Sequence, residues 1–233
     1  MNLKGEVSMG NYIDINTFDF TKCSDEKFIL DTNALLWAFY PNSQSSCLQA
    51  ACYSNFIAQL ITANKKIYIP MFNFCEAINV IEKIEHKIYK KNSRNNIKLK
   101  DYRAIPLERQ KLKNVLELFV EQIENISNII ILEQNLELNL PKTFINDFSK
   151  HRLDLFDIFL IDISNKSNFS IITDDKDFLS VNCNSNIYTC NQTILSNFNM
   201  QTIESMSEAE RIAKDSAVEG YTDMKTLIEE LEK

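Results

Sequence analysis

Short apolar runs alternate with longer helical patterns along most of this chain, and this alternation restricts the fold more strongly than any other feature. The predicted strands lie at 28–30, 67–70, 129–132, 169–173 and 187–189. Between them, apolar residues recur at helical spacing near 35–39, 46–63, 74–84, 106–123 and 154–166. Short strands that are apolar on both faces and alternate with helices form parallel sheets with helices on both sides. We therefore predict a three-layer α/β fold with a short-stranded, mainly parallel central sheet.

The domain organisation follows from shifts in composition. We expect one domain over residues 28–200, preceded by a polar N-terminal extension at 1–27. A basic insertion at about 85–113 lies inside the domain: residues 82–113 contain eleven Lys and Arg against four Asp and Glu, although the whole chain has a net charge of −7. An acidic helical extension is predicted at 201–233.

Two protein classes are disfavoured by the sequence. No stretch approaches the roughly 18 to 20 apolar residues of a membrane span, and the N-terminus lacks a signal-like pattern, so we expect a cytoplasmic protein with no membrane partner. The six cysteines form no C-x-x-C pair and several lie in apolar patterns, which favours buried free thiols over zinc ligands or disulfides.

Four acidic residues are predicted to lie near the carboxyl ends of strands, where parallel α/β sheets bind their ligands. Asp31 and Asp175 lie just past the first and fourth predicted strands, Glu76 lies early in the helix after the second, and Asp157 lies near the start of the helix before the fourth. Convergent carboxylates suit hard cations such as Mg²⁺ or Mn²⁺. We therefore predict these four as metal ligands and catalytic residues.

Several of these acids also have a purely structural interpretation. Asp31 is placed to cap a helix, and Glu76 is favoured by the helix dipole without any function. Asp157 lies in a helix that is apolar almost all round, so its carboxylate requires a metal cation, an ion pair with a Lys or Arg such as Arg152, or a position on the solvent-exposed face of the helix.

Other polar residues near the strand ends have less certain roles. Among the acids that follow the fourth strand, Asp175 is the preferred ligand and Asp177 the reserve, and Asp154 is the reserve for Asp157. Asn33 and Thr173 are candidates to orient ligand carboxylates or the attacking water. Both histidines are predicted to lie at the surface.

With these residues in place, the chain resembles the PIN-domain superfamily and, within it, the VapC-type toxins of toxin-antitoxin pairs. The matching segments are FILDTNALLW from Phe28, Ile69-Pro70 with Glu76, DLFDIFLI from Asp154 and IITDDKDF from Ile171. The resemblance implies a PIN-like α/β/α fold, Mg²⁺- or Mn²⁺-dependent endoribonuclease activity and ligand roles for the four acids. It also raises the expectation of an antitoxin protein and of a homodimer. The interval from Glu76 to Asp157 is longer than in compact toxins of this family.

The basic insertion fits an RNA partner, because cations bind the phosphate backbone and aromatic rings stack on unpaired bases. The candidate rings are Tyr89 and Tyr102. The alternative is a solvated, charged helix end and loop. The candidate RNA-binding cations are Lys87, Lys90, Lys91, Arg94, Lys98, Lys100 and Arg103.

Two other functions compete with the nuclease. Haloacid-dehalogenase-like phosphatases and phospho-acceptor receiver domains also place an Asp at a strand end, but the phosphatases usually require a second Asp two residues later, where this chain has Asn33. A catalytically silent PIN-like scaffold that binds RNA or protein is the main alternative.

Overall fold

The computed structural model describes residues 12–20, 27–40, 48–133, 153–180 and 184–197. The chain divides into two compact units, at Met1–Leu195 and Ser196–Lys233, and every element named below belongs to the first. The acidic extension predicted at 201–233 and Arg152 lie outside the described residues.

Six described strands form one parallel sheet in the order β1-β6-β5-β2-β3-β4. Their bounds are β1 Tyr12–Asp14, β2 Lys27–Leu30, β3 Lys66–Pro70, β4 Ile129–Leu132, β5 Ser170–Ile172 and β6 Ile187–Thr189. The five predicted strands are therefore confirmed. Residues 1–27 are predicted from the sequence to form an extension, whereas in the structure Tyr12–Asp14 form an edge strand of the sheet and β2 begins at Lys27.

Helices connect and cover the strands. The described helices are α1 Thr32–Phe39, α2 Leu48–Thr62, α3 Met71–Ser93, α4 Leu99–Arg103, α5 Pro106–Glu124 and α6 Leu155–Ser167, with a short 3-10 helix at Lys176–Ser180. Pro106 lies at the first helical position of α5, where its missing N–H costs nothing. The chain has only three glycines, and asparagines take the left-handed conformation after α2 and α6, at Asn64 (φ 56°) and Asn168 (φ 54°).

Alternate residues of the strands pack into two hydrophobic clusters on opposite faces of the sheet. Phe28 and Leu30 of β2 belong to a cluster with residues of α1, α2, α3 and α5. Ile29 belongs to a second cluster, which contains Leu160 and Ile161 of α6. This alternation confirms the predicted three-layer α/β/α architecture. No helix among the described residues has the length and apolar character required to cross a membrane.

The topology defines one edge where a site can form. The chain runs from β2 to β3 and β4 in one direction across the sheet, and then continues with β5 and β6 on the other side of β2. Open α/β sheets bind ligands at such a switch in direction, outside the carboxyl ends of the strands. The residues that follow β2, β3 and β5 therefore lie at the edge where this fold binds ligands.

Candidate functional site

Asp31 lies at the centre of this edge, immediately after β2. Its backbone N–H continues the sheet by donating to the Ile172 carbonyl (3.0 Å), and its side chain caps α1. Asp31 Oδ1 accepts from the Thr32 N–H (2.6 Å), and Oδ2 accepts from the Thr173 hydroxyl (2.8 Å). Asp31 is 3% exposed, so the capping role predicted as an alternative is present. A carboxylate has more acceptor sites than these two bonds use, and capacity for a further partner therefore remains.

A hydroxyl links Glu76 to the same strand end. Thr32 Oγ1 donates to Glu76 Oε2 (2.6 Å) and accepts from Asn73 Nδ2 (2.9 Å). Asn73 is buried, and its Oδ1 has no hydrogen-bond partner among the described residues. Pro70 ends β3 and caps α3 directly, which brings the first turns of α3, and thus Asn73 and Glu76, to the carboxyl edge.

A second hydroxyl links Asp175 to Asp31. Thr173, fully buried after β5, accepts from the Asp175 N–H (2.9 Å) while it donates to Asp31. Asp175 Oδ1 in turn accepts from the Asp177 N–H (2.8 Å), a turn that starts the 3-10 helix. Asp174 points elsewhere, towards Trp37 Nε1 (3.1 Å) and the Tyr53 hydroxyl (3.1 Å). Asp175 is therefore the acid of this cluster that is tied to Asp31 through Thr173.

Asp157 and Asp154 form a capping box at the start of α6. Asp154 Oδ1 accepts from the N–H groups of Phe156 (2.8 Å) and Asp157 (3.1 Å), and Asp157 Oδ2 accepts from the Asp154 N–H (3.1 Å). One oxygen of Asp154 is thus committed to the helix end.

The acids interact electrostatically as one group. Burial raises the pKa of Asp31 to about 7, and the charges of Asp175 and Glu76 add to this rise, while hydrogen bonds from Thr173 and Thr32 oppose it. Burial likewise raises the pKa of Asp157 to about 8, with further contributions from Asp31, Asp154 and Asp175. Asp31 therefore interacts through its charge with each of the other three acids, Glu76, Asp157 and Asp175.

The donor set suits a hydrated hard cation. As the side chains stand, no group of three or more His, Cys, Asp or Glu side chains within the described ranges is arranged to hold a metal ion between its members. Mg²⁺ commonly binds through one or two carboxylates and keeps several waters, so it does not require such a closed set. A nearby cation stabilises the charged form of carboxyls whose pKa values are raised, as those of Asp31 and Asp157 are, and the residues thus fit a divalent cation.

Some roles differ from those predicted. Asn33 was a candidate to orient Asp31, but its side chain is exposed, and Thr32 and Thr173 hold the carboxylate instead. Thr173 had been singled out, whereas Thr32 and Asn73 had not. Only the position of Thr32 directly after a strand-end Asp marked it in the sequence.

The Tyr53 hydroxyl, on α2, contacts the residues that follow β5 and β6. No pattern in the sequence indicates this role. The hydroxyl contacts the Thr173 carbonyl (2.8 Å), Asp174 Oδ1 (3.1 Å) and Thr189 Oγ1 (3.2 Å), and it accepts from the Cys190 N–H (3.4 Å). Tyr53 is fully buried. The hydroxyl thereby fixes the chain around Thr173, and through it the acids that Thr173 holds.

The basic insertion is mostly helical. Its first part continues α3 to Ser93, and the rest contains α4 and the start of α5. Arg103 binds the carboxylate of Glu82, as does Arg109 (3.1 Å). Tyr102 is buried against the rings of His86 and Tyr89, so its predicted stacking on bases is wrong. His86 is half-buried rather than exposed, and its Nε2 lies 2.9 Å from the Ile97 carbonyl.

The other predicted cations project from this region. The side chain of Lys90 is half-buried, and the exposed ones are Lys87, Lys91, Arg94, Lys98 and Lys100. They remain candidates for binding a phosphate backbone, whereas Arg103 is engaged with Glu82.

A family model described as PIN domain matches residues 28–182, a range that contains all four acids. The chain is similar to the crystal structure of PAE2754 from Pyrobaculum aerophilum, with 14% identity and a TM-score of 0.35 over 76% of this chain and 92% of that one. This likeness is too weak to support an argument about function. No curated protein matches the chain.

Proposed function

This chain belongs to the PIN domain family, and on that premise we propose that it is a Mg²⁺- or Mn²⁺-dependent endoribonuclease. PIN domains are typically metal-dependent nucleases. The observation that carries the proposal is the electrostatic coupling of Asp31 with Glu76, Asp157 and Asp175 at the carboxyl edge of the sheet. A cluster of mutually repelling acids at the ligand-binding edge of the fold is stabilised by a cation.

The side chains at the carboxyl edge of the sheet would have two roles, to bind the ion and to orient the residues that bind it. Asp31, Glu76, Asp157 and Asp175 would hold the ion, with Asp154 and Asp177 as reserve ligands. When bound, such an ion activates a water for attack on phosphorus and neutralises the phosphate. The hydroxyls of Thr32 and Thr173 donate hydrogen bonds to Glu76 and Asp31, respectively. These bonds favour the charged carboxylates and hold their oxygens in fixed directions.

The RNA substrate is proposed from two sources. The resemblance to toxin ribonucleases favours RNA over DNA, and the exposed lysines and arginine at the end of α3 and around α4 supply charge for its backbone. A role as the toxin of a toxin-antitoxin pair, an antitoxin partner, a homodimer and a cytoplasmic location belong to the same proposal.

Cleavage assays test this proposal. Full-length protein is incubated with a pool of structured and single-stranded RNA, and with DNA of the same sequences, in Mn²⁺, Mg²⁺ or EDTA. Wild type and an Asp162→Asn variant are expected to cut RNA only with metal, because Asp162 is exposed on α6 and bonded to Lys166 (2.6 Å). An Asp31→Asn, Asp157→Asn double variant is expected to be inactive. Equal activity of the double variant would reveal a contaminating ribonuclease and remove the support.

The second candidate function is a catalytically silent scaffold that binds RNA or protein. It is favoured by one observation: the described acids do not form a closed set of three ligands. Metal-independent RNA binding by wild type, without cleavage in any condition, is the result that would select it.

A further inference from the structure

A groove of about 860 Å³ lies along α3 from Met71 to Lys83, and Glu76 is part of its lining. Its lining includes aromatic, acidic, amide and basic side chains, among them Phe72, Glu76, Asn79, Lys83 and Phe156. Glu82 and Arg103, which bind each other, lie on its wall, and Glu133 contributes a further acid. The groove is large enough for a nucleotide-sized ligand, and it adjoins the acids proposed to hold the metal.

An aromatic pair lies at the end of this groove nearest the acids. The rings of Phe72 and Phe156 are stacked, with centroids 5.5 Å apart and planes 12° from parallel. Phe156 is 37% exposed, so part of its ring is accessible to a ligand. Phe72 lies one helical turn before Glu76, and Phe156 directly precedes Asp157, so each ring is carried beside a candidate ligand.

The face of α3 that carries Glu76 changes character along the helix. At 100° per residue, Phe72, Lys83, Lys87 and Lys90 all lie within about 40° of Glu76 around the axis. Lys83 is exposed and makes no ion pair among the described residues. It lies about 10 Å along the axis from Glu76, at 1.5 Å per residue. One helix face therefore presents an aromatic ring, then a candidate metal ligand, then a row of lysines.

We propose that this groove binds a single strand of nucleic acid, with an unpaired base on the Phe72–Phe156 pair and the backbone along Lys83 and Lys87. Aromatic rings stack on bases of any sequence, and a row of cations follows the backbone. A duplex keeps its bases stacked on each other, so this subsite selects unpaired segments. The inference rests on the proposed function, since it places the scissile phosphate beside Glu76.

The test separates base contacts from backbone contacts. Full-length protein in EDTA is titrated with a labelled single-stranded RNA of twelve nucleotides and with an oligomer of the same length whose nucleotides are all abasic. Phe156→Leu is expected to weaken binding of the RNA about tenfold, from the contribution of one stacked base, and to leave the abasic oligomer unaffected. Lys83→Ala is expected to weaken both. Phe156→Trp, which keeps an aromatic ring at this position, is expected to bind the RNA about as tightly as wild type.

A matched control and the cleavage assay complete the design. Leu155→Ala truncates a similarly exposed apolar side chain on α6 (42% exposed) that does not line the groove, and it should change neither affinity. Equal loss for both oligomers in Phe156→Leu, or no loss for either, overturns the subsite. Base-dependent binding without metal-dependent cleavage leaves the subsite in place and removes the nuclease. Cleavage that is unaffected by Phe156→Leu, with unchanged RNA affinity, removes only the subsite.

Discussion

Thr173 donates its hydroxyl proton to Asp31 Oδ2 at 2.8 Å, although 142 residues separate the two in sequence. The same oxygen of Thr173 accepts the N–H of Asp175 at 2.9 Å. One neutral side chain thus fixes two acids that follow neighbouring strands, β2 and β5. The Thr32 hydroxyl donates a hydrogen bond to Glu76 on α3, so two acids at the carboxyl edge of the sheet, Asp31 and Glu76, each accept a hydrogen bond from a threonine hydroxyl.

Replacement of Thr173 by Val should weaken metal binding and cleavage without abolishing them. Val keeps the shape but leaves the buried Oδ2 of Asp31 and the N–H of Asp175 without their partner. We expect a loss of about 10- to 100-fold in metal affinity or cleavage rate, as for other groups that orient metal ligands. Thr173→Ser, which retains the hydroxyl, should stay close to wild type. The Mn²⁺ dependence of cleavage measures the effect, and equal behaviour of Val and Ser variants would contradict it.

Stability without metal should fall as the pH rises. The pKa of Asp157 is about 8 in the folded protein and near 3.9 in an unfolded chain. Between these values the folded state holds a proton that the unfolded state has lost, so unfolding becomes easier as the pH increases from about 4 to 8. Asp157→Asn removes this contribution and should raise the metal-free Tm at pH 8, by about 2–4 °C for each kcal/mol relieved.

Thermal unfolding in EDTA at pH 5 and pH 8 measures this difference. Asp162→Asn on the same helix is the control, because its carboxylate is exposed and bonded to Lys166. Equal Tm shifts for Asp157→Asn and Asp162→Asn at both pH values would show that the pKa of Asp157 is not raised in the folded protein. Added Mg²⁺ or Mn²⁺ should raise the Tm of wild type more at pH 8 than at pH 5, because cations bind the ionised carboxylates.

Tyr53→Phe should destabilise the fold. The change removes one hydroxyl that contacts Thr173, Asp174 and Thr189 inside the protein, and it leaves the Cys190 N–H without its acceptor. We expect a loss of about 1–3 kcal/mol in the free energy of unfolding, measured by urea denaturation. Tyr89→Phe is the matched control, because no described residue hydrogen-bonds the Tyr89 hydroxyl. Equal midpoints for the two variants would mean that the Tyr53 network contributes little.

Glu82→Gln should loosen the attachment of α4 and α5 to α3. Glu82 is 7% exposed and binds Arg103 and Arg109, and bonds from Arg103 hold its pKa below the usual range. Because both arginines are about half exposed, we expect a loss of only about 1 kcal/mol. A lowered pKa stabilises the fold above the unfolded value near 4.3 and loses this effect as the pH falls.

The difference between wild type and Glu82→Gln should therefore shrink between pH 7 and pH 3. Glu117→Gln is the control, since Glu117 pairs with Lys113 at 3.2 Å on an exposed helix face, and its effect should stay within about 0.5 kcal/mol. A pH-independent loss in Glu82→Gln would point to packing rather than charge.

The strands and the convergence of the acids could be predicted from sequence because both follow from periodicity. A short apolar run that ends in Asp31 or Asp175 places that acid at the carboxyl edge once the sheet is parallel. By contrast, β1 is three half-buried residues at the sheet edge, too short and too polar in its surroundings to show alternation. Residues 90–93 carried no apolar pattern, yet they continue α3, since Lys and Asn at exposed helix positions are tolerated.

The support of the acids could not be predicted in the same way. Thr32 binds Asp31 through its backbone N–H and Glu76 through its hydroxyl, and neither contact leaves a mark in the periodicity of the sequence. Tyr53 reaches Asp174 across 121 residues of sequence, and no local pattern indicates such a contact. Arg103 was grouped with RNA-binding residues because charge alone does not reveal that Glu82 binds it.

Binding of Mn²⁺, followed by the decrease of its free signal in electron paramagnetic resonance, tests most directly whether the four acids act as one cation site. Wild type and Asp162→Asn should bind Mn²⁺ with equal affinity at pH 7.5, and Mg²⁺ should compete. Asp31→Asn and Asp157→Asn should each weaken binding by at least about tenfold, although Asp31 follows β2 and Asp157 lies in the first turn of α6. Unchanged affinity in both variants, or no binding by wild type, would contradict the metal site and the nuclease proposal with it.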